Sequence, residues 1–150
     1  MVEQFDNYIK QYEYDDESTN NNWFDYAFEY GTQLLNEFSQ DDWDELKKEL
    51  PSKSIIWQRR FVYCMVNSIG DNQLDILLSL TDTNDIYLFE IIIGILGSYD
   101  IEKIYNLDSV IRRIQYFYLK ADIITEKVFL VFLKNVREYE KSKYLMGKNR

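Results

Sequence analysis

Carboxylates are the groups in this 150-residue chain whose number and spacing could do chemistry. Asp41, Asp44 and Glu45 stand at i, i+3 and i+4, one face of a helix, where three acids could gather a hard cation. The same residues also suit a first helical turn, whose free amides welcome negative charge without any ligand, and that reading takes precedence. Asp82-Thr-Asn-Asp opens like a calcium loop, but Tyr87 stands where such a loop needs glycine and Ile93 where it needs a bidentate glutamate. The chain contains no histidine, which excludes Ser-His and Cys-His couples, a histidine general base and His-containing zinc sites. The single Cys64 excludes a Cys-rich zinc site and an internal disulfide. Its place in the apolar run Phe61 to Val66 marks a buried structural thiol, suited to a reducing compartment. Gly94-Ile-Leu-Gly97 lies inside apolar sequence and lacks the lysine and hydroxyl of a phosphate loop. Arg59-Arg60 and Arg112-Arg113 are expected to face carboxylates rather than phosphates. No catalytic residue, cofactor or metal is expected, and the chain reads as a non-enzyme.

A protein-binding surface is better supplied. Residues 1–50 hold 14 acidic and 3 basic side chains, −11, while residues 51–150 hold 12 and 14, +2. Such a face repels nucleic acid and attracts a basic protein. Aromatic rings interleave with the acids: Asp15, Asp16 and Glu17, then Trp23, Asp25 and Tyr26, then Glu29 and Tyr30, and finally Asp41, Asp42, Trp43, Asp44 and Glu45. Aromatic anchors within an acidic rim are what a partner with a basic cleft requires. Charge reversal at Asp15, Asp16, Asp41 and Asp42 is expected to slow association without unfolding the chain.

The elements that position these residues read as all-helical. One proline and five glycines argue against a turn-rich β fold. Phe5, Tyr8, Ile9 and Tyr12 predict a helix over 3–14, followed by a polar loop from Asp15 to Asn22. Further helices are expected from Trp23 to Phe38 and from Ser39 to a stop at Pro51. Another should run from Ser52 or Ser54 to Ile69, and a short one over 74–80. Ile86 to Leu96, apolar but for Glu90, reads as a central helix covered on all sides, with Thr83, Asn84 and Asp85 as candidate caps and Gly97 at its end, although its β-branched residues also permit a buried strand. Helices over 107–119 and 125–139 and a frayed basic tail over 141–150 complete the chain. This makes seven or eight helices in one domain: acidic helices over 1–50, then paired helices over 52–140. The plan of residues 55–81 recurs over 85–119, so HEAT-like hairpins and an irregular helical bundle are the two architectures in view. The N-terminus has no signal-peptide pattern and no stretch would span a bilayer, so a cytoplasmic protein is expected.

Trp43-Asp-Glu-Leu-Lys-Lys-Glu-Leu-Pro51, Trp57-Gln-Arg-Arg60 and the HEAT-like junction of Leu77 to Gly97 give residues 43–97 a further meaning. In this acidic, tyrosine-rich setting they resemble immunity proteins of bacterial polymorphic toxin systems, among them those of contact-dependent growth inhibition. The resemblance implies a role and no particular site: binding a cognate toxin domain, often a nuclease, and blocking it. A helical adaptor for an ordinary cellular protein and a DNA-mimic inhibitor are the rival expectations.

Overall fold

A computed structural model describes residues 1–148, and in it the chain is all-helical. The helices are α1 (Val2–Lys10), α2 (Glu17–Asn22), a π-helical turn (Trp23–Ala27), α3 (Phe28–Asn36), α4 (Gln40–Glu49), α5 (Ile55–Tyr63), α6 (Asp71–Ser79), α7 (Ile86–Leu96), α8 (Leu107–Tyr118) and α9 (Ile123–Lys148). α2, the π turn and α3 run on as one, so the described residues form eight continuous helices, with 3₁₀ turns at Leu50–Ser52 and Ile101–Lys103. By contacts the chain divides into two compact units, Met1–Ile76 and Leu77 onward.

In the first unit α1 packs against α3, α4 and α5. Phe5 is fully buried, with the rings of Phe38, Trp57 and Phe61 set edge-on to it at 5.8, 6.0 and 5.8 Å. Edge-to-face pairs of this kind each add about 0.5–1.5 kcal/mol beyond area burial. Burial raises the Asp6 carboxyl, but Lys10 at 2.7 Å and Lys53 at 2.8 Å outweigh it and hold Asp6 below the usual range. In the second unit α7 packs chiefly against α9, with α8 also on α9, and Phe89 meets the rings of Phe117 at 4.9 Å and Phe129 at 5.6 Å. Of the two all-helical architectures expected, the bundle describes these contacts.

Several boundaries differ from the expectations. The polar stretch from Asp15 to Asn22 is helical from Glu17, because Asp16 caps it by accepting the Thr19 amide at 2.8 Å. α5 ends at Tyr63 rather than Ile69. The Thr32 hydroxyl donates to the Cys64 carbonyl at 2.8 Å, and the amides of residues 64–66 bond three residues back, tightening the chain out of the helix. α7 is not covered on all sides: Tyr87 and Gly94 are exposed. Residues 141–148 are helical rather than frayed, continuing α9, and residues 149 and 150 lie outside the described residues.

Candidate partner-binding face

The acidic face is built from the loop before α2 and the exposed side of the long α2–α3 helix. Arg60, buried on α5, donates to the Tyr12 and Tyr14 carbonyls, both at 2.9 Å, and to Asn20 Oδ1. Its guanidinium lies 5.9 Å from the Trp23 ring and 5.5 Å from that of Phe24. A buried cation bonded to backbone carbonyls fixes the loop it touches. Asp15, Asp16 and Glu17 are therefore presented from a clamped turn. Asp15 accepts from Asn20 Nδ2 at 3.3 Å and pairs with Arg59 at 3.5 Å.

The π turn Trp23–Ala27 follows directly. It is wider than an α-turn, with the Phe28 amide bonding five residues back to the Trp23 carbonyl. Trp23 and Ala27 point inward, whereas Phe24, Asp25 and Tyr26 are exposed. The Tyr8 hydroxyl steadies the turn from α1, donating to the Ala27 carbonyl at 2.7 Å. Burial and the neighbouring Tyr12 push the Tyr8 phenol well above its usual range, so it remains a donor. Beyond the turn Glu29 and Tyr30 continue the exposed stripe, the Tyr30 ring edge-on to Tyr8 at 4.8 Å. Tyr30 also borders a groove of about 560 Å³ whose other wall is the wet side of α1: Glu3, Gln4, Asn7 and Gln11. These α1 residues were absent from the face expected from the sequence. Their spacing at three and four residues was visible, but nothing in it linked α1 to residue 30.

α4 presents the second acidic group. Ser39 and Asp42 form a reciprocal cap, with the Asp42 carboxylate accepting from the Ser39 amide at 2.9 Å and hydroxyl at 2.8 Å. That amide holds Asp42 below the usual carboxylate range, and the Met1 ammonium lies 3.5 Å away. Asp41, Asp44 and Glu45 are exposed, Asp44 accepting from Gln40 at 2.9 Å. α1 packs against both α3 and α4, so the two acidic groups belong to helices that share α1 as a neighbour.

Two expected anchors are corrected. Trp23 is 0 % and Trp43 5 % exposed. Trp23 is held in the core by Tyr12 at 5.2 Å and Trp43 by Phe38 at 5.1 Å. The rings left at the surface are Tyr14, Phe24, Tyr26 and Tyr30, with Tyr26 59 % exposed. The expected charge-reversal test is corrected too, because Asp16 and Asp42 cap helices and their reversal would weaken the fold itself. Asp25 and Glu29 are exposed, and their carboxylates make no hydrogen bond or ion pair among the described residues.

Comparison with protein-family models, curated proteins and solved structures finds no match to the chain. Among the described residues no three His, Cys, Asp or Glu side chains are placed to hold a metal ion, and no helix is long and apolar enough to cross a membrane.

Proposed function

We propose that this chain is a cytoplasmic immunity protein, which binds a cognate bacterial toxin domain of nuclease type and covers its basic substrate cleft. The observation that carries this reading is the exposed side of the α2–α3 helix, where Tyr26 and Tyr30 stand among Asp25 and Glu29 within a unit of 16 acidic and 6 basic residues. Carboxylates there would take the place of the phosphates of the toxin's substrate, and the tyrosines would supply apolar contact with a polar tip. The clamped Asp15–Glu17 turn and the acids of α4 would widen the rim.

The test is Asp25→Lys combined with Glu29→Lys, both at exposed positions. Against a toxin domain encoded beside the gene, the variant should associate about tenfold more slowly at low salt and protect cells poorly, with its thermal midpoint unchanged. Native protection by that variant at moderate salt would remove the acidic face from the mechanism. Inhibition of many DNA-handling enzymes rather than one toxin would instead favour the DNA-mimic reading.

A further inference from the structure

α9 has two apolar faces, and the core uses one of them. Thr125, Phe129, Phe132 and Val136 are buried at three- and four-residue spacing. On the other side Ile123 and Ile124 are 72 % and 70 % exposed and Val131 61 %, with Leu130 beside them. Burying a large aliphatic side chain is worth about 1.5–3 kcal/mol, so a row of them left in water marks a surface that a partner would cover. Fourteen residues beyond Leu130 and Val131, about four turns, an exposed apolar pair returns as Tyr144 and Leu145, with the charged pair Arg137 and Glu138 at the layer between. Lysines fill the turns between: Lys127, Lys134, Lys141 and Lys148 recur at every seventh residue, about 10.5 Å apart along the axis.

Steps of three and four residues, through Arg137 and Glu138 between Lys134 and Lys141, connect these positions into one stripe. All four lysines are exposed, and among the described residues none is paired with a carboxylate. Lys148 lies instead over the Tyr144 ring at 4.9 Å. Past Val136 no described residue of α9 is buried. At the other end the stripe has depth. Gly94 of α7 and Gly97 just past its end, lacking side chains, leave an apolar hollow of about 260 Å³ beside Lys127, Val128 and Val131.

We infer that this stripe docks an acidic amphipathic helix of a partner protein. The partner's apolar side chains would enter the layers at Ile123/Ile124, Leu130/Val131 and Tyr144/Leu145. Its Glu or Asp side chains, seven residues apart, would meet the four lysines. These layers fall in one seven-residue register, the period of helix-on-helix packing, with Arg137 and Glu138 at the one charged layer; complementary charge sets both the partner and the register. A second copy of the stripe laid on the first in register would set lysine against lysine. A nucleic acid would engage the lysines and leave the aliphatic layers in water. The inference stands apart from the acidic face of the first unit.

The test titrates the full chain with a synthetic helical peptide carrying leucines at two positions of each heptad and glutamates at the positions facing the lysines. A twin peptide has lysine in place of each glutamate. Binding is read by anisotropy and its location by amide chemical shifts. The glutamate peptide should bind saturably, with shifts on Gly94, Gly97 and the outer side of α9, and the twin should not. Lys134→Glu with Lys141→Glu, at exposed positions where folding is unaffected, should weaken the glutamate peptide about tenfold and admit the twin. Failure of the glutamate peptide to bind, or indifference to that reversal, overturns the inference. Displacement of the peptide by phosphatidylserine vesicles or by an RNA oligonucleotide overturns it in favour of those ligands. A dimer in the ultracentrifuge, with shifts on the same stripe, overturns it in favour of self-association.

Discussion

A β-carbon added at Gly31 would lie 2.5 Å from the Cys64 sulfur but 3.8 Å from the Cys64 Cβ. The close approach of α3 to the end of α5 thus depends on one missing side chain facing one sulfur. Gly31→Ala should destabilise the chain by about 1–3 kcal/mol through overpacking. Adding Cys64→Ala removes the offending atom, so the double variant should be more stable than Gly31→Ala alone in urea unfolding, and simple additivity would refute the contact. Cys64 is fully buried as its apolar surroundings imply, whereas its pairing with a glycine 33 residues earlier is invisible to any local pattern. Glu90 makes a second residue-scale case. Burial pushes its carboxyl up, and Asp122 adds to this, although Thr125 donates to it at 3.0 Å. A carboxyl raised on folding binds protons more tightly in the native state, so its contribution is favourable below its ordinary range and is lost as pH rises through the raised value. Glu90→Gln should therefore raise the melting temperature at pH 7 and change it little at pH 4.

At the scale of elements, α9 separates structure from surface along its own length. Its buried residues end at Val136, so ending the chain after Glu140 should leave stability in denaturant within about 0.5 kcal/mol of the native value. A larger loss would mean that the last turns support the core. Helix starts were legible in part: Ser39, and Ser54 and Asp85 among the candidates offered, each accept an amide three residues on, whereas Asp16 does the same for α2 in a stretch that reads as a loop. Helix ends were less so. Thr32, reaching from α3 to the Cys64 carbonyl, ends α5 six residues before its apolar pattern does. The π turn left no local mark in Trp23–Ala27, since its geometry answers to Tyr8, Arg60 and the core around Trp23. For that reason aromatic and acidic types could be read along residues 23–30, while which rings face outward could not.

For the molecule as a whole, the division by contacts keeps most of the charge split of a cut at residue 50: −10 and +1 against −11 and +2. Residues 1–76 carry 16 acids and 6 bases, and the remainder 10 and 11. The imbalance was plain from composition, but the boundary of the unit that carries it, at Ile76, was not. The acids Asp71 and Asp75 lie beyond residue 50 within the first unit, whose Lys47 pairs with Asp75 at 3.7 Å and donates to Asn72 at 2.9 Å. Trp23, Trp43 and Trp57 are all buried and all belong to the first unit. Indole fluorescence therefore reports on residues 1–76 alone, whereas far-ultraviolet circular dichroism reports every helix. The two signals recorded through one thermal scan would coincide if the units melt together and separate if they do not.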